Sequence, residues 1–171
     1  FARLPAVAAH VSELPNPGDF VKRKIAGRSI LVTRDELGEV HAFLNICRHR
    51  GTQLVDDEYG CKHRFTCPYH AWSSANSGEL VSVPHMDTGF PDLDQDQYSL
   101  KSLQCEERFG FVLVISVPDA SFDFDAYYAP IVAYAEGLDL ANMAIAHEEK
   151  QVHNSNWKIL VKGGIEFYHF K

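Results

Sequence analysis

The feature that most constrains this chain is a pair of short half-motifs, Cys47-Arg48-His49-Arg50-Gly51 and Cys67-Pro68-Tyr69-His70-Ala71-Trp72. Each brings one thiol and one imidazole, and seventeen residues separate His49 from Cys67. Cysteine and histidine interleaved in this way suit a [2Fe–2S] centre in which two thiolates hold one iron and two neutral imidazoles hold the other. Cys47, His49, Cys67 and His70 are therefore the candidate ligands. The two halves must stand side by side, which calls for two loops projecting from neighbouring hairpins. Gly51 permits a tight turn beside the metal, and Pro68 stiffens the second loop. Structural zinc also takes two Cys and two His, but with the cysteines paired together and the histidines paired together. The interleaved order here does not follow that pattern.

The remaining sequence reads as a scaffold of short strands. Residues 19–25 and 29–33 are β-rich, and Asp35-Glu36-Leu37-Gly38 is a turn. Val40, Ala42, Leu44 and Ile46 then alternate with His41, Phe43 and Asn45, the period of a strand. This hairpin would deliver Cys47 and His49 at a strand end. Further strands are expected at 64–67, at 79–83 after the turn Asn76-Ser77-Gly78, and at 100–106 and 111–117 around Arg108-Phe109-Gly110. Residues 1–28 before and between the first strands, rich in Pro and Gly, read as mostly irregular, and so does the polar stretch 85–98. Many short strands with frequent turns predict a mainly β fold, an antiparallel sandwich or barrel. The character changes after Pro118. Residues 125–136 have helical periodicity that Pro130 should split. Residues 143–152 look extended, and Asn154-Ser155-Asn156 offers caps for a helix over 157–170. The division expected is a cluster domain at 1–120, with its loops at 45–53 and 65–74, followed at 121–171 by a linker and the start of a second domain.

The formal net charge of −7 argues against a nucleic-acid-binding face. No apolar run approaches the ~20 residues needed to span a membrane, and no secretory signal is visible. Four cysteines in 171 residues are too few for a disulfide framework, so a reducing cytoplasm is expected. Cys61 and Cys105 read as free, idle thiols. The chain opens on Phe1 rather than Met and stops at Lys171 inside a patterned segment, which reads as a piece of a longer polypeptide. Trp72 is expected to pack beside the cluster. His41 should be exposed, His63 solvated, and Arg48 and Arg50 free to contact a partner. Tyr127, Tyr128 and Tyr134 at helical spacing read as core.

The two half-motifs resemble the CRHRG and CPYHGW signatures of the large subunits of Rieske non-haem iron oxygenases of the aromatic-ring-hydroxylating type. Ala71 stands where Gly is usual. Phe65-Thr66, Gly78-Glu79-Leu80 and Pro84 also fit, and the resemblance runs from about residue 14 to residue 170. Respiratory Rieske proteins carry an extra disulfide between their loops; here the corresponding positions are Thr52 and Tyr69, and Trp72 replaces their potential-raising serine. The resemblance thus implies a low potential, about −150 mV. It also implies a Rieske domain followed by a truncated α+β, helix-grip-like catalytic domain. Electrons from a flavin reductase or ferredoxin would pass through the cluster to mononuclear Fe(II). The iron would activate O2 to hydroxylate a small organic substrate, with an aromatic one the first choice. A homotrimer, with or without a β subunit, is implied for the parent.

A second motif is incomplete. Residues 156–170 begin Asn156-Trp157-Lys158 and contain Glu166 and His169, which on one helix would lie about 60° apart on one face. The stretch resembles the oxygenases' N-W-K … E/D-x2-H-x4-H. On that resemblance His169 is the first ligand of the mononuclear iron. Glu166 is the acid that bridges to a Rieske histidine across a subunit boundary. Gly163-Gly164 departs from the family's usual residues, and two glycines inside a helix cost about 1 kcal/mol each. The other iron ligands are absent from this sequence, so the chain alone is expected to bind the cluster without turning over substrate. The alternative is a stand-alone Rieske ferredoxin-type carrier, against which stand the residues after 118 and the Glu166/His169 pair.

Overall fold

The computed structural model describes residues 2–166. Eleven strands and four short α-helices are formed among them. In chain order the first strands are β1 (Ala6–His10), β2 (Asp19–Ile25), β3 (Arg28–Arg34), β4 (Val40–Leu44), β5 (Tyr59–Cys61) and β6 (Arg64–Thr66). They are followed by β7 (Ser73–Ala75), β8 (Leu80–Ser82), α1 (Met86–Gly89), β9 (Ser102–Leu103), β10 (Cys105–Arg108) and β11 (Phe111–Val114). The chain then turns helical in α2 (Phe124–Tyr128), α3 (Val132–Gly137) and α4 (Trp157–Ile165). The strands make three antiparallel sheets, ordered β5-β2-β3-β4-β9, β1-β11-β10 and β6-β7-β8.

The five-stranded sheet is the middle layer. Val21, Ile30, Val32 and Ala42 on one face pack against Ala8, Val112 and Val114 of the β1-β11-β10 sheet. Phe20 and Leu31 on the other face meet Val55 and Phe65, beneath the loop and small sheet that carry the half-motifs. Both faces of β3 are covered, which is why Ile30, Leu31, Val32 and Thr33 are all buried in succession. Each buried aliphatic side chain contributes about 1.5–3 kcal/mol. The same double covering changes the outcome in β4, whose alternation predicts one wet face. Phe43 is buried, and His41 is half-buried rather than exposed. His41 stacks on Phe43 and its Nε2 lies 2.8 Å from the Asp35 carboxylate.

Several expected elements differ. Ala6–His10 holds only one strong strand former, Val7, yet it pairs with β11, since an unpaired edge of that small sheet would leave backbone groups unsatisfied. The stretch 85–98 is not wholly irregular: it holds α1 and a 3-10 turn at Gln95–Tyr98. The helical region splits at Pro130 as expected, into α2, a 3-10 turn and α3. Tyr127 and Tyr134 are exposed and Tyr128 half-buried, so these tyrosines are not core. Asn156 caps α4 by accepting the Lys158 N–H at 3.0 Å. That helix ends at Ile165 rather than continuing to 170, directly after Gly163-Gly164. Glu166 takes an extended backbone, so the single helical face expected for Glu166 and His169 is not formed at Glu166; His169 lies outside the described residues.

Candidate metal centre

The two half-motifs fold into loops of the same construction. In the first, which follows β4, the Cys47 N–H donates to the Thr52 carbonyl at 2.7 Å and the Gly51 N–H to the Cys47 carbonyl at 3.0 Å. In the second, which joins β6 to β7, the Cys67 N–H donates to the Trp72 carbonyl at 2.8 Å and the Ala71 N–H to the Cys67 carbonyl at 3.0 Å. The fifth residue is left-handed in both, Gly51 at φ +74° and Ala71 at φ +55°. The first loop is fastened at its exit by Asn45, which is fully buried. The Asn45 amide donates to the Val55 carbonyl at 2.8 Å, and its oxygen accepts the N–H groups of Val55 (3.0 Å) and Leu54 (3.2 Å).

These twinned loops bring like donors together. Cys47 and Cys67 are both buried in an apolar pocket with Trp72, Leu80 and Val83. Burial pushes the Cys47 thiol up, and the adjacent Cys67 adds to that, while the N–H groups of His49 and Arg50 oppose it. Two buried thiols facing each other need a positive charge before they ionise, and iron supplies one. The rings of His49 and His70 lie 4.7 Å apart. Burial, with help from His70 and Arg50, lowers the His49 pKa and keeps the ring neutral, the form that ligates metal.

The imidazoles differ in surroundings. His49 is sandwiched flat against Trp72 at 4.7 Å with a 5° tilt, and Phe90 approaches both rings edge-on. Tyr98 meets Trp72 edge-on at 5.5 Å. His70 is exposed, with the Tyr69 ring 3.8 Å away. Among the described residues, His49 Nδ1 is the one buried side-chain nitrogen or oxygen without a hydrogen-bond partner. An orphaned buried nitrogen is costly unless something else binds it. No three His, Cys, Asp or Glu side chains among the described residues are grouped to hold a single ion. Paired thiols beside paired imidazoles are the donor set that suits a two-iron cluster.

The arrangement defines a protein class, the cluster-bearing β domains, and the Rieske [2Fe-2S] domain family matches residues 5–105. The chain belongs to that family. Among curated relatives, the glycine betaine monooxygenase oxygenase subunit of Pseudomonas aeruginosa is 32% identical over 163 residues, covering 95% of this chain and 37% of the relative. The large oxygenase component of a naphthalene 1,2-dioxygenase system from Pseudomonas aeruginosa is 36% identical over 166 residues, covering 92% and 36%. Among solved structures, a quaternary ammonium Rieske monooxygenase in complex with L-carnitine superposes with a TM-score of 0.86 at 31% identity, covering 99% of this chain and 48% of that one. Naphthalene 1,2-dioxygenase with indole bound gives 0.69 at 35% identity, covering 75% and 29%. The chain thus spans less than half the length of these relatives.

The other singled-out residues lie apart from the paired donors in role. Glu166 follows α4 and is exposed, its N–H donating to the Lys162 carbonyl at 3.1 Å. Cys61 is exposed at the end of β5. Cys105 is half-buried, and burial pushes its thiol up to about 11, so it is inert. His63 is exposed and pairs with Glu36. The Arg48 guanidinium reaches the Gln97 carbonyl at 3.4 Å, and Arg50 is exposed. Sequence reasoning missed Asn45, because alternation marks it as a strand position and says nothing of its loop partners. It missed the cover from Phe90 and Tyr98, whose aromatic spacing in a polar stretch was the available signal. No helix among the described residues is long and apolar enough to cross a membrane.

Proposed function

We propose that Cys47, His49, Cys67 and His70 hold a Rieske [2Fe–2S] cluster and that the chain is the electron-carrying part of an oxygenase large subunit. The orphaned Nδ1 of His49, enclosed between the loops, is the observation that carries this reading. When bound, such a cluster supplies reversible one-electron transfer. The residues set its direction. Trp72, Phe90 and Tyr98 keep water from the His49 side. His70, open to solvent, presents the edge from which an electron leaves toward a neighbouring subunit.

In the parent protein, Glu166 would receive that edge and His169 would be the first ligand of a mononuclear Fe(II). A flavin reductase or ferredoxin would supply the electrons, in a homotrimer with or without a β subunit, in the cytoplasm. The relatives include both quaternary-amine and aromatic oxygenases. The proposed activity is therefore the step they share, O2-dependent oxidation of an organic molecule. A stand-alone carrier is disfavoured because the likeness to the quaternary ammonium monooxygenase extends through 99% of this chain, well past the β sandwich.

The test is reconstitution of the chain with iron and sulfide. A red-brown product with a Rieske-type EPR spectrum on reduction is expected, lost in Cys47→Ser and in His70→Ala. A colourless protein, or one that takes up zinc instead, would overturn the assignment. The chain alone, given Fe(II), a reductant and candidate substrates, is expected to yield no product.

A further inference from the structure

Beside the first loop, at Gln53, the chain carries a groove of about 660 Å³ whose lining is rich in lysine. Lys22, Arg23 and Lys24 of β2 and Lys150 line it with Glu58; Arg23 pairs with Glu13, and Lys150 with Glu58 and Glu148, which leaves Lys22 and Lys24 without a carboxylate partner among the described residues. Such a surface is out of keeping with a chain of net charge −7. The groove beside Phe90 carries Asp92 and Asp94, and the one beside Arg34 carries Glu39, Glu106 and Glu107. An acidic macromolecule approaching this chain is repelled by its overall charge and drawn to the β2 groove.

The groove also touches the loop that holds Cys47. Gln53 lines it, and Gln53 is bonded to Thr52, whose carbonyl accepts the Cys47 N–H at 2.7 Å. One hydrogen bond and a few covalent bonds therefore separate the groove from a cluster thiolate. His70, the open ligand, belongs to the other loop. Thiolate and imidazole ligands serve opposite irons, so a cluster held by these loops would be reached from the groove by way of Cys47 rather than His70.

We infer that the β2 groove is the docking surface for an acidic electron-donor protein, which loses one electron there as the cluster gains one. This rests on the electron-carrying role proposed above. Entry on the thiolate side leaves the His70 edge free, so donor and acceptor can be engaged together.

The test follows anaerobic bleaching of the cluster-loaded chain by a reduced plant-type ferredoxin, an acidic one-electron protein of lower potential. The double variant Lys24→Glu/Lys150→Glu should lower the second-order rate about tenfold at low salt. About 0.5 M salt should slow the unaltered chain by a similar factor and the variant far less. Lys158→Glu/Lys162→Glu, the same charge change on α4, should leave the rate unchanged. Dithionite, a small reductant, should bleach every variant alike. A groove double variant reduced as fast as the unaltered chain, or a Lys158→Glu/Lys162→Glu chain slowed equally, overturns the docking site. A chain that takes up iron and sulfide but that dithionite cannot bleach overturns the cluster reading, and this inference with it.

Discussion

Ala71 holds a backbone conformation that its twin position gives to glycine. At φ +55° its Cβ crowds the following carbonyl, which costs roughly 1–2 kcal/mol for an L-residue. Gly51 meets the same demand at φ +74° with no side chain. Ala71→Gly removes the strain but gives the unfolded chain more freedom, a loss of about 0.4–1 kcal/mol. The net expectation is a gain of about 0.5–1 kcal/mol, read as a rise in denaturation midpoint with an unchanged m-value. A lowered midpoint would show that the Ala71 methyl makes a stabilising contact. Asp35 gives a second single-residue prediction. Burial raises its pKa, but the His41 ring and the N–H groups of Glu39 and Leu37 outweigh burial and hold the carboxyl below its ordinary 3.8. A depressed carboxylate stabilises the fold above the unfolded value and loses that contribution as pH falls through the folded one. Asp35→Asn should therefore cost about 2 kcal/mol at neutral pH. The gap between variant and unaltered chain should close on titration below about pH 3.8. A gap that stays constant into acid would mean the bonds do not depend on the charge.

Gly110 shows how one element is fastened to another. It lies in the β10–β11 turn at φ +81°, and a Cβ there would stand 2.5 Å from the Ala141 backbone. The adjoining Leu140 carbonyl accepts from His10 Nε2 at 2.9 Å, so the segment after α3 is tied both to this turn and to β1. Gly110→Ala should push that segment off the sheet at a cost of about 1–3 kcal/mol. Limited proteolysis near residue 141 should speed up while β3 keeps its hydrogen-exchange protection. Equal proteolysis in both proteins would mean the segment was not held. None of this fastening was legible in the sequence, which marks 108–110 as a turn but does not say what lies against it. What was legible had a local cause. The β2, β3 and β4 strands showed in β-branched residues and turn chemistry, the break at Pro130 in a missing N–H, and the α4 start in Asn156. The four candidate donors stood out because their spacing matches the chemistry proposed for them. Strand β1 and the cover over His49 stayed hidden because tertiary pairing and packing decide them. The early end of α4 follows the glycine pair, each of which costs about 1 kcal/mol inside a helix.

At the scale of the whole molecule the two sides of the middle sheet are held differently. The sandwich core, from Ala8 and Leu14 to Val112 and Val114, contains none of the cluster donors. The core on the loop side is smaller, and two of its five buried residues are Cys47 and Cys67 themselves. The β6-β7-β8 sheet that carries the second loop has only three residues in each strand. Such a sheet is marginal alone and leans on whatever joins the loops. Metal binding to donors that the unfolded chain does not assemble is folding free energy. Stripping the cluster should then loosen one side and spare the other. In the stripped protein, amides of 47–52 and 67–82 should exchange at least tenfold faster, while those of β3 and β11 should stay close to the loaded protein. Protection lost equally from β3 would show that the cluster supports the entire sandwich. Protection retained in the loops would show that Trp72 and Leu80 hold them closed without iron.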